Sequence, residues 1–88
     1  METVFKYCIP IDDEFTLEMP MDAEILAFQV QHEVPCIWAK VDTRRQSETI
    51  SFKMFGTGHP MEDTDTLKYI GTAQMSGGSL VWHLFKVT

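Results

Sequence analysis

The stretch Glu14-Phe15-Thr16-Leu17-Glu18-Met19 decides the fold class. Every odd position in it is apolar and every even one polar. Side chains with that period point alternately to two faces, as in a β-strand half-covered by a core. Pro20 closes the run, because proline cannot donate to a ladder. Just upstream, Phe5, Tyr7 and Ile9 share one face of a first strand. The link Pro10-Ile11-Asp12-Asp13 is turn chemistry, with proline fixing φ and aspartate bonding its own backbone. Residues 1–19 therefore read as a hairpin.

The same period continues downstream. Met21-Asp22-Ala23-Glu24 is a turn or a single helical turn, and Ile25 to Gln31 is a third strand. His32-Glu33-Val34-Pro35 separates it from Cys36 to Val41, which makes residues 25–41 a second hairpin. Asp42 to Glu48 is a polar loop. Residues 49–55 place Ile50, Phe52 and Met54 on one face of a fifth strand, which Gly56-Thr57-Gly58-His59-Pro60 breaks. After the acidic stretch Glu62 to Asp65, Leu67 to Ala73 is the sixth strand, Ser76-Gly77-Gly78 a hairpin turn, and Leu80 to Val87 the seventh. This last strand is apolar on both sides: Leu80, Trp82 and Leu84 on one, Val81, Phe85 and Val87 on the other. Such a strand is buried on both faces, or another chain covers one of them. About seven short antiparallel strands with no long helical period predict an all-β small sandwich or barrel, a single domain over residues 1–88. Phe15, Leu17, Phe28, Trp38, Phe52 and Phe85 are the expected core.

Composition narrows the function classes. The chain has 7 Lys and Arg against 13 Asp and Glu, a formal charge of −6. Binding along a nucleic-acid backbone needs clustered bases and is not expected. A hydrophobic content of 44% is too high for a disordered chain. No apolar run approaches the ~20 residues of a membrane helix, and no secretory signal opens the sequence. Cys8 and Cys36 each sit among large hydrophobes without zinc spacing, which fits two reduced structural thiols in the cytoplasm. The charge is uneven. Residues 1–33 hold eight acids and one base, a net of −7, while residues 34–88 hold five acids and six bases. An acidic half steers toward a basic partner, and Asp12, Asp13, Glu14 and Glu18 are its candidate contact residues. A solvated surface that keeps the protein dispersed is the plainer reading of the same charges.

Few constellations carry chemistry. Gly56-Thr57-Gly58-His59 is the most site-like: glycines allow close backbone approach, and successive N–H groups in such a turn can hold an anion. Thr57 and His59 would add polar contacts, and Trp82 a ring to stack on a base. No Lys-Ser/Thr follows, so the turn is not a P-loop, and a shaped strand end explains it equally. His32, His59 and His83 are scattered, and His59 with Glu62, Asp63 and Asp65 is no zinc signature; no metal is expected. His83 is expected on a strand face with its nitrogens satisfied locally. Ser76 and Ser79 lie in a glycine turn without a nucleophile elbow, and the paired acids are adjacent in turns, so neither catalysis nor a cofactor is expected.

Six segments together carry a resemblance: Thr3-Val4-Phe5-Lys6-Tyr7, Ala23-Glu24-Ile25-Leu26-Ala27-Phe28-Gln29-Val30-Gln31, Pro35-Cys36-Ile37-Trp38-Ala39, Gly56-Thr57-Gly58-His59-Pro60, Tyr69-Ile70-Gly71-Thr72 and Val81-Trp82-His83-Leu84-Phe85. The chain resembles a family of small proteins from tailed bacteriophages and prophages, a domain of unknown function. The likeness spans nearly the whole chain and brings no catalytic residues. It implies a phage or prophage accessory protein acting inside a bacterial cell. The leading expectation is a non-enzymatic homo-oligomer that binds and inhibits a host factor with a basic surface, such as a defence component. One alternative is a protein that sequesters a small nucleotide signal through Gly56, Thr57, Gly58, His59 and Trp82. Another is a minor structural part of the virion.

Overall fold

The computed structural model describes all of residues 1–88. Seven strands form where the period-two pattern lies: β1 (Glu2–Cys8), β2 (Glu14–Pro20), β3 (Glu24–Gln31), β4 (Val34–Asp42), β5 (Ser47–Gly56), β6 (Leu67–Met75) and β7 (Leu80–Val87). Two short 3₁₀ turns, Thr64–Thr66 and Ser76–Gly78, are the only helical pieces. All pairings are antiparallel. The strands make two separate sheets, one in the order β1-β4-β3 and the other β2-β5-β7-β6. The fold is an open sandwich and not a barrel.

The β3–β4 and β6–β7 hairpins are present, but residues 1–19 are not a hairpin. β1 pairs with β4 and β2 with β5, in different sheets. The Ile9 N–H bonds the Pro35 carbonyl at 3.0 Å, and the Met54 N–H bonds the Asp13 carbonyl at 3.0 Å. The turn at Pro10–Asp13 thus carries the chain from one layer to the other. Period two fixes which face a residue takes and says nothing about which strand it pairs with.

The core fills the space between the sheets. From the three-stranded sheet come Phe28, Ile37, Ala39 and Val41; from the four-stranded sheet come Met19, Phe52, Met54, Ala73 and Leu84. Phe15 stacks on Phe52 with ring centroids 5.2 Å apart. Gly71 faces Phe28 across the layers, where a Cβ would make an ordinary contact with the Phe28 Cβ at 3.4 Å. Phe28 and Phe52 are buried as expected, whereas Phe15, Leu17, Trp38 and Phe85 are half-buried. Phe15 and Leu17 lie on the edge strand β2. Trp38 and Phe85 point outward, because the inward positions of β4 and β7 belong to their neighbours Ile37, Ala39 and Leu84.

Cα extents of 40 × 32 × 16 Å leave room for two layers and no third. Both sheets therefore turn an outer face away from the core. No helix is long and apolar enough to cross a membrane.

Candidate functional site

The outer face of the four-stranded sheet is built from strand register. One row runs across all four strands: Glu14 of β2, Lys53 of β5, Phe85 of β7 and Tyr69 of β6. The next row holds Phe55, His83 and Thr72. Phe85 lies edge-to-face against both Phe55 and Tyr69, with centroids 5.7 and 5.5 Å away. Such contacts suit the ring quadrupoles. Tyr69 remains 56% exposed. Val81 and Val87 extend the apolar surface along β7. At the β2 edge Lys53 Nζ pairs with Glu14 at 3.5 Å, and Glu18 accepts a hydrogen bond from the Thr49 hydroxyl. The face is thus aromatic on one side and acidic along the other.

A hydrogen-bonded chain crosses the aromatic half. The Tyr69 hydroxyl lies 2.7 Å from Thr72 Oγ1, which lies 2.9 Å from His83 Nδ1, and His83 Nε2 lies 2.7 Å from Thr57 Oγ1. A neutral imidazole donates at one nitrogen and accepts at the other, so the chain closes with every proton assigned in one direction. This is the local satisfaction expected for His83. Chemically, Thr57 stands to His83 as a hydroxyl to a base, yet a second hydroxyl and no carboxylate orients the far nitrogen. No cavity is lined by Thr57, Thr72 or His83. The network stiffens an open face.

The Gly56-Thr57-Gly58-His59 residues sit in one turn, and Trp82 lies opposite Gly56 in the ladder. The His59 N–H bonds the Gly56 carbonyl at 3.1 Å, and the Gly56 N–H returns a bond to His59 Nδ1 at 3.2 Å. The imidazole lies so close over Gly56 that a Cβ there would come within 2.7 Å of it. Gly58 supplies a φ of +86°. Trp82 turns inward against the core, with its indole nitrogen buried and unpartnered. The adjoining cavity, about 360 Å³, is bordered by Asp13, Glu14 and Glu62, with Lys53 as its one lysine or arginine and His59 beside it. Carboxylates at that mouth repel an anion.

Asp12 and Asp13 are exposed in the inter-sheet turn, and Glu14 and Glu18 on the β2 outer edge, so the four acids gather along one side of the molecule. Both cysteines are free; Cys8 is exposed rather than buried, while Cys36 is buried. They oppose one another in the β1–β4 ladder with sulfurs 3.9 Å apart, and burial, then Cys8, pushes the Cys36 thiol up.

A family model, a domain of unknown function (DUF7352), matches residues 1–88. The chain belongs to this DUF7352 family. Comparison with curated proteins and with solved structures finds no match. Within this DUF7352 domain, Phe55 is the residue of the outer face that the sequence reading missed. The available signal was Phe55 itself, an apolar residue out of step with the alternation of Ile50, Phe52 and Met54. It pairs with the outward side of β7, whose Val81, Phe85 and Val87 had already marked a second apolar face.

Proposed function

We propose that this chain is a non-enzymatic binding protein whose contact surface is the outer face of the β2-β5-β7-β6 sheet. Alone, two copies cover that face across a two-fold axis, since one patch then serves both subunits. In a bacterial cell, as the likeness to phage and prophage proteins implies, the same face takes and blocks a host protein. The observation that carries this reading is the row Glu14, Lys53, Phe85 and Tyr69, which runs from an acidic edge to a half-buried and then an exposed aromatic in a single register. Contiguous apolar patches rimmed by polar groups mark interaction sites. The acidic edge, extended by Asp12, Asp13 and Glu18, selects a partner whose apolar patch is flanked by basic groups.

The nucleotide reading has less support. In its turn the His59 ring and the Gly56 N–H are engaged with each other, the Thr57 hydroxyl with His83, and the Trp82 ring points inward.

The two uses of the face respond oppositely to salt. Added salt screens the repulsion between two acidic copies and strengthens self-association, while it weakens binding to a basic partner. The test captures bacterial lysate proteins on the wild type, on Glu14→Lys/Glu18→Lys and on Tyr69→Lys. A host protein retained at low salt, released by salt and lost from both variants is the expected result. Retention unchanged in both variants rejects this surface. Recovery of the protein only in purified virions favours the structural alternative.

A further inference from the structure

Both sheets carry one register shift each, between Ile25 and Ala27 in β3 and between Tyr69 and Gly71 in β6. The two irregularities border the same cavity, about 440 Å³, at the β3/β6 side of the sandwich. Its lining stops at Ala27 and Ile70, the residues just before the point where Phe28 and Gly71 meet across the layers. Bulges re-aim side chains and recur beside functional sites. Here they leave Ile25, Leu26, Ala27 and Ile70 as apolar walls.

Lys68 and Lys86 border this cavity as well, and they are directly opposed partners in the β6–β7 ladder. Lys86 also pairs with the inward residue Phe52, so both lysines stand on the side of the sheet that faces the other layer. Like charges directly opposite each other destabilise a sheet. Neither ammonium forms an ion pair or a side-chain hydrogen bond, in a chain with nearly twice as many acids as bases. The nearby carboxylates do not neutralise them. Glu24 borders the same cavity without pairing, Glu48 borders a smaller neighbouring one without pairing, and Asp22 is held by Arg45 at 2.8 Å.

We propose that this cavity binds a small aromatic phosphomonoester, of which a nucleoside monophosphate is the simplest example. Lys68 and Lys86 take the phosphate, whose charge of about −2 matches the two ammoniums. Ile25, Leu26, Ala27 and Ile70 hold the ring. The volume falls within the roughly 300–1,000 Å³ of small-molecule pockets, which combine apolar walls with a few convergent polar groups. The site shares no residue with the Gly56–His59 turn. It shares Tyr69 with the aromatic contact face, and the lysine variants, which leave Tyr69 intact, separate the two assignments.

The test follows backbone amide shifts of the labelled protein on titration with adenosine monophosphate, adenosine and inorganic phosphate. Saturable shifts at residues 24–27 and 68–70 are expected with the monophosphate. Adenosine and phosphate should each bind at least about tenfold more weakly, and Lys68→Met/Lys86→Met should weaken the monophosphate by at least about tenfold. The double variant should melt no lower than wild type, because the opposed charges are gone. Exposed Lys68→Gln serves as a second variant, expected to weaken binding at an unchanged melting temperature. Absence of saturable shifts at these residues overturns the proposal, as does undiminished binding by the lysine variants. Inorganic phosphate binding as tightly as the monophosphate also overturns it, since no ring site then exists.

Discussion

Phe52 and Phe85 are both strand phenylalanines in the four-stranded sheet, and they sit on opposite sides of it. Phe52 is 1% exposed between the layers, while Phe85 is half-buried among Phe55 and Tyr69 on the outside. Truncating a buried phenylalanine removes its transfer free energy and leaves a cavity; on an open face, water fills the space. Phe52→Ala should therefore cost about 3–5 kcal/mol, and Phe85→Ala no more than about half of that. Urea unfolding at a concentration where the chain is monomeric compares the two. Equal losses would mean that Phe85 belongs to a closed core. At the same scale, alternation along β7 was enough to put Leu84 and Phe85 on different sides. It could not say which side was the core, because both are apolar.

At the scale of elements, strand positions were legible and pairings were not. Leu80–Val87 is recovered with its own limits, and β3 and β4 form the hairpin that Ile25 to Val41 suggests. Local turn chemistry failed at Pro10–Asp13, since the same residues serve a tight hairpin or a step between layers. Only long-range hydrogen bonds distinguish the two. The bulges at Leu26 and Ile70 leave no mark in a period-two pattern, so the paired lysines beside them stayed hidden. Another junction gives a pH prediction. Asp42, at the end of β4, accepts from Arg44 Nε at 3.0 Å, Arg44 Nη2 at 2.9 Å, the Arg44 N–H at 3.0 Å and the N-terminal amine at 3.3 Å. The Arg44 side chain first, then its backbone N–H, holds the Asp42 carboxyl well below the usual carboxylate range. The unfolded chain titrates near the ordinary value of about 3.9, so the contribution is complete above about pH 4 and is lost as pH falls through the lower folded value. Asp42→Asn should lower the urea midpoint near neutral pH, and the gap to wild type should narrow in acid. A gap that stays constant down to about pH 2 would contradict the assignment.

At the scale of the whole molecule, the sandwich is flat, acidic and two layers thick, with an aromatic outer face on its larger sheet. A formal charge of −6 opposes self-association, and only the apolar contact favours it. Any dimer should therefore tighten with salt, as surface repulsion is screened within about 10 Å at 0.1 M. Tyr69 is the residue that reports on this face. It is exposed but touches Phe85 and Thr72, so a substitution there should cost the single chain no more than about 1.5 kcal/mol. A lysine there would place a charge in the aromatic half of the contact. The decisive measurement is sedimentation equilibrium at micromolar concentration on the wild type and on Tyr69→Lys. The expected result is a wild-type species of twice the 10.1 kDa chain mass and a Tyr69→Lys variant at the single-chain mass. A wild type that sediments as one chain, or a dimer that survives Tyr69→Lys, would contradict the assignment of this face as the protein's contact surface.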